Sequence, residues 1–145
     1  MALPSPPIRP HKGEPITIIF EVSGDIALRS ELRINCSDWT LAGQTAPGDG
    51  VVVTRNKVNL GGSQNFIVRN MRFRIGRLDM AGNVLTENAL GAENCSNFFF
   101  DHCSFGWSVE ENMNTADEAF DYVVAHAGTV NRDKVEQRIA DDAKA

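Results

Sequence analysis

A repeat within the sequence limits the fold more than any other feature. The segment Ser63-Gln64-Asn65-Phe66-Ile67-Val68-Arg69-Asn70-Met71-Arg72-Phe73 matches Cys95-Ser96-Asn97-Phe98-Phe99-Phe100-Asp101-His102-Cys103-Ser104-Phe105 in residue type, with Asn65 on Asn97, Phe66 on Phe98 and Phe73 on Phe105. A weaker copy, Ser37-Asp38-Trp39-Thr40-Leu41-Ala42-Gly43-Gln44, puts Gln44 where the others carry Asn70 and His102. The copies lie roughly 26 and then 32 residues apart, a period that belongs to stacked architectures in which loops of unequal length leave one side of each unit.

Each copy is a short β-rich run, a polar residue, and a second alternating run, as in Phe66 to Val68 followed by Met71, Phe73 and Ile75. That is two strands with a bend between them. Further runs at Ile16 to Val22, Val51 to Thr54 and Lys57 to Leu60 are punctuated by Gly48-Asp49-Gly50, Gly61-Gly62 and Gly82-Asn83. Tight two-residue turns between matched strands are lacking, so a parallel coil is favoured over a meander. The pattern predicts an all-β fold, a parallel β-helix of about four or five rungs, over residues 16–114. The polar column 44, 70 and 102 is expected to hydrogen-bond along the coil. Arg69 falls beside Asp101, as in a structural ion pair.

The flanks read differently. Met1 to Pro15 contains Pro4, Pro6, Pro7, Pro10 and Pro15, without the apolar core of a signal peptide, and reads as a loose lead-in. After Asn114 the period shifts toward 3.6: Thr115 and Glu118 form a capping box, Phe120, Val123, Val124 and Ala127 make one stripe, and Gly128 is a stop signal. A helix is therefore expected from Ala116 to Ala127 and a marginal one from Asn131 to Ala143, making 115–145 a short helical segment.

Composition sets the outer bounds. Hydrophobic residues make up 42% of the 145 and charged residues 23%, which fits one globular domain. No stretch approaches the roughly 18 apolar residues of a membrane span. A formal charge of -5 gives no overall positive field for nucleic acid or an anionic bilayer. Cys36, Cys95 and Cys103 lack the close paired spacing of a zinc site and read as buried thiols. Trp39 and Trp107 are candidates for stacking on sugar or for coil packing. Alternation along Phe98-Phe99-Phe100 must turn one ring outward, a hint of association with a second copy.

The aligned residues carry a resemblance. Glu21-Val22-Ser23-Gly24, Leu41-Ala42-Gly43-Gln44-Thr45-Ala46-Pro47-Gly48, Asn65-Phe66-Ile67-Val68-Arg69-Asn70-Met71-Arg72-Phe73-Arg74 and Phe100-Asp101-His102-Cys103-Ser104-Phe105-Gly106-Trp107-Ser108-Val109-Glu110-Glu111 resemble, in order, blocks of the pectate lyases of the first polysaccharide lyase family. The resemblance implies a right-handed parallel β-helix and a reduced version of the family, because several rungs that follow the last block there have no counterpart here. It also implies an extracellular setting.

The implied reaction is cleavage of the α-1,4 bond of polygalacturonate by β-elimination: a base takes the proton at C5 and the C4 oxygen leaves. The family uses an arginine as base and calcium to neutralise the uronate carboxylate. Its first calcium aspartate, in an Asp-Ala-Leu-Gly motif, is replaced here by Asn88-Ala89-Leu90-Gly91. Glu87, Glu110 and Glu111 are the remaining acidic candidates, so a weak Ca²⁺ site is expected of Asn88 with these glutamates. Glutamates 110 and 111 read equally as solvated charge. The family's arginine segment has no counterpart.

With Met71, Phe73 and Ile75 inside, Arg72 and Arg74 share an outer face. They are the candidates for catalysis and for binding uronate carboxylates, with Arg77 and Trp107 as further substrate contacts; the other reading of the arginines is solubilising charge. Three functions stand open: a pectate lyase-like enzyme, an inactive solenoid that binds acidic polysaccharide, and a structural fragment that forms homo-oligomers.

Overall fold

A computed structural model describes residues 13–115, 119–125 and 128–130. Strands β1 (Ile16–Ile19), β2 (Gly24–Ala27) and β3 (Leu32–Arg33) make one turn of a coil; β4 (Ser37–Ala42), β5 (Val51–Thr54) and β6 (Val58–Asn59) make the next. Strands β7 (Gln64–Arg69), β8 (Met71–Arg74) and β9 (Leu90–Gly91) form the third, and β10 (Ser96–Asp101), β11 (Ser104–Gly106) and β12 (Met113–Asn114) the fourth. Strands β13 (Phe120–Ala125) and β14 (Gly128–Val130) begin a fifth.

Every strand pairs in parallel with its counterpart one turn away, giving three sheets in the orders β1-β4-β7-β10-β13, β2-β5-β8-β11-β14 and β3-β6-β9-β12. This is a parallel β-helix, as the repeat predicts. Its register makes Trp39, Phe66 and Phe98 vertical neighbours. Their rings stack with centroids 4.5 and 4.9 Å apart and planes within a few degrees, and Phe73 stacks on Phe105 at 5.5 Å. Burying each such ring contributes about 1.5–3 kcal/mol, and stacking adds roughly 0.5–1.5. The other inward positions are filled by Val51, Val53, Val58, Leu60, Val68, Met71, Leu90 and Phe100, all buried.

Strand entry follows from a second column. Asp38, Asn65 and Asn97 each precede a stacked ring and each adopt a left-handed backbone, with φ of 63°, 52° and 51°. Asp and Asn tolerate this region because their short polar side chains bond locally. Here they bond to one another: Asn65 Nδ2 donates to Asp38 Oδ1, and Asn97 Nδ2 donates to Asn65 Oδ1. The steps along this ladder are 27 and 32 residues.

Two expectations are corrected. Residues 120–125 form a strand and not a helix: Phe120–Ala125 pairs with β10. Its aromatic and β-branched residues suit a strand, and the open edge of β10 offers a full row of partners that an isolated helix lacks. The polar column is also displaced, because Ala42 pairs with Arg69 and so Gly43, not Gln44, stands in register with Asn70 and His102. A Cβ on residue 43 would collide with the carbonyl oxygens of Arg69 and Asn70, and Gln44 lies instead in the short 3-10 turn Gly43–Thr45. The lead-in up to residue 12 and the helix expected over 131–143 fall outside the described residues.

Candidate functional site

The register divides the candidate residues between two places. Arg72 and Arg74 lie on the outer face of β8, alternating with buried Met71 and Phe73. Arg72 Nη2 donates to the Asp49 carbonyl at 2.7 Å and so anchors the turn before β5. Arg74 is held more closely: Nη1 donates to the Phe73 and Ser104 carbonyls at 3.0 and 2.9 Å, and Nη2 to Ser104 Oγ at 2.8 Å. Burial, and then the charge of Arg72, lower the Arg74 pKa from its ordinary value.

The second place is the corner that leads from β8 to β9 and, one turn on, from β11 to β12. Arg77 and Glu87 are exposed on the first of these loops, and Trp107, Glu110 and Glu111 on the second. The first loop carries a small hairpin in which Leu78 bridges Val84 and Asp79 Oδ1 accepts the Ala81 and Asn83 amides. Asn88 ends that loop and is buried; its Oδ1 accepts the Glu111 N–H at 3.0 Å.

This donor set does not fit a calcium ion. Ca²⁺ takes six to eight oxygens with carboxylates to offset its charge. Among the described residues no three acidic, His or Cys side chains converge, and the amide oxygen of Asn88 is committed to a backbone donor.

Other residues take structural places. Trp39 is inside the coil with its indole N–H on the Cys36 carbonyl. Asp101 Oδ2 lies 3.7 Å from Arg69 Nε, and Asp101 Oδ1 lies 2.7 Å from His102 Nδ1. Phe98 and Phe100 face inward and Phe99 outward, half-buried. Cys95 and Cys103 are buried and Cys36 half-buried, all as free thiols.

The sequence reading missed a polar cluster on the third sheet. Glu31 accepts from Arg33 Nη2 at 2.8 Å and from Asn59 Nδ2 at 3.0 Å, and the Arg33 guanidinium holds the Glu31 carboxyl below its ordinary pKa. Lys57 passes over Gly91, its Cε 3.1 Å from where a Cβ would stand. Strands of two residues give alternation nothing to read; only the register shows that Arg33, Asn59 and Gly91 share one column. A cavity of about 560 Å³ occupies the interior of the first coil; Ile16, Ile18, Phe20, Ile26 and Leu28 line it, and Arg33 and Asn35 also reach its wall.

No protein-family model matches the chain. Curated proteins do. A probable pectate lyase C of Aspergillus flavus is 32% identical over 96 residues, 66% of this chain and 22% of the relative. One of Aspergillus fumigatus is 30% identical over 110 residues, 76% of this chain and 25% of its own length, and one of Emericella nidulans 32% over 102 residues, 70% and 23%. The chain thus spans about a quarter of the length of these relatives. Their similarity relates this chain to the pectate lyases.

Proposed function

We propose that the chain is the polymer-binding coil of a pectate lyase-like protein, acting outside the cell on polygalacturonate or a similar acidic polysaccharide. The observation that carries this reading is the pair Arg72 and Arg74, two guanidinium groups on one sheet face in a chain of net charge -5. Two residues along a strand separate them by about 6.6–6.8 Å, so they can receive successive carboxylates of an extended uronate chain. Arg77 and Trp107, on the neighbouring loops, extend the contact.

The reaction class is β-elimination. A base removes the C5 proton, the C–H electron pair becomes the C4–C5 double bond, and the C4–O4 bond breaks, its oxygen leaving with a proton from water. Arg74 is this chain's own candidate for the base, because burial and Arg72 both disfavour its charged form. The second reading, binding without cleavage, is favoured by the three hydrogen bonds that tie Arg74 to the sheet.

Incubation with polygalacturonate at alkaline pH, followed by absorbance of the unsaturated uronate product, separates the two. A rise that Arg74→Ala abolishes supports cleavage. A flat trace from a protein that still binds the polymer leaves only the binding module.

A further inference from the structure

Asn88 and Ser63 are the buried polar residues among those described, and Asn88 is 6% exposed. Its oxygen reaches across to the next coil, where it accepts the Glu111 N–H. Nearby, Leu90 N donates to the Asn112 carbonyl at 3.3 Å and Ser108 Oγ donates to Asn112 Oδ1 at 2.7 Å. These bonds fix the far end of the turn that starts at Trp107. Trp107 itself has φ of 63° and is 54% exposed. A bulky residue in the left-handed region costs roughly 1–2 kcal/mol and persists only where its surroundings over-determine it.

We propose that Asn88 is a positioning residue and not a cation ligand. Its buried amide clamps the turn 107–112 from the coil below, so that the Trp107 indole is held outward as a stacking platform for a hexuronate ring, and uronate polymer is engaged without a divalent cation. The ligand rests on the function proposed above; the clamp does not. An acceptor already bonded to a backbone N–H, neutral and almost closed to solvent, has neither the charge nor the access that a hydrated Ca²⁺ requires. The same acceptor is well placed to hold a backbone, since a buried donor left without it costs about 1–3 kcal/mol.

The test uses the full chain with Trp39→Phe, which keeps a ring in the inner stack and leaves Trp107 as the sole indole. Asn88→Leu removes the acceptor and Asn88→Asp retains one. The expected result is lower Trp107 anisotropy in Asn88→Leu and an unchanged value in Asn88→Asp; equal anisotropy in all three overturns the clamp. Two arms need no change at Asn88. Calcium chloride alone is expected to leave Trp107 emission unshifted, and retardation in a polygalacturonate gel is expected to survive EGTA. A calcium-induced shift, or retardation lost in EGTA, overturns the proposal. Absence of retardation under every condition overturns the uronate reading and the platform with it, while the anisotropy contrast still judges the clamp.

Discussion

Asn70 and His102 occupy the same bend of successive coils, with φ of 54° and 52°, because the strands on both sides of them pair in register. The Asn70 N–H donates to the Asp101 carbonyl at 3.0 Å, so the bend is fixed from above as well as by its own turn. A left-handed residue here lets the chain leave one sheet and enter the next within a single position.

That conformation predicts a graded response at Asn70. A β-branched side chain is excluded from it, so Asn70→Val is expected to destabilise by about 1–2 kcal/mol relative to Asn70→Gly. Urea denaturation monitored by circular dichroism measures the difference. Coincident midpoints for the two variants would show that the bend is not strained.

Gly43 stands in the same column, and there the demand is steric. Its missing Cβ leaves room for the carbonyls of Arg69 and Asn70 from the neighbouring coil. Gly43→Ala is expected to cost about 1–3 kcal/mol, as in overpacking of a closed interior. A stability equal to that of the parent chain would mean that the coils are spaced more widely than this.

The coil was legible in the sequence because stacked positions repeat their chemistry: Asn65 over Asn97, Phe66 over Phe98, Phe73 over Phe105. The copy at 37–44 was legible only to within one residue, since Gly43 fills its place in the column by having no side chain. The tail misled because Phe120, Val123 and Val124 satisfy a helical stripe while a strand partner, invisible locally, waits on β10. At the candidate site, alternation correctly put Arg72 and Arg74 outward. It did not reveal that Arg74 is bonded to Ser104, nor that Asn88 serves Glu111, because both contacts cross between coils.

Alkaline conditions, where lyase activity is sought, are expected to weaken the fold through Cys103. Burial pushes this thiol up to about 11 from 9.0. Between these values the unfolded chain loses the thiol proton while the folded chain keeps it, so the folded state binds more protons and stability falls as pH rises. The loss by pH 11 is on the order of 2 kcal/mol. Comparing the slope of unfolding free energy against pH for the parent and Cys103→Ala measures it; parallel slopes from pH 9 to 11 would contradict the assignment.

Among the described residues no strand caps the first coil. Its apolar interior borders the 560 Å³ cavity, and Ile19, Val22, Ile26 and Leu32 are exposed on its strands and turns. The edges of β1, β2 and β3 carry no described strand beyond them. A solution of these 145 residues alone is expected to associate through that end, since open edges and apolar surface both seek partners. Sedimentation equilibrium at micromolar concentration reads the mass, and a monomer would count against the expectation.

Affinity electrophoresis through gels with and without polygalacturonate bears most directly on the central claim, that the outer face of β8 receives a uronate chain. Retardation of the parent chain by the polymer is predicted, with most of it lost in both Arg72→Ala and Arg74→Ala and relieved by salt as charge pairing is screened. Equal mobility of all three proteins in the two gels would contradict the account.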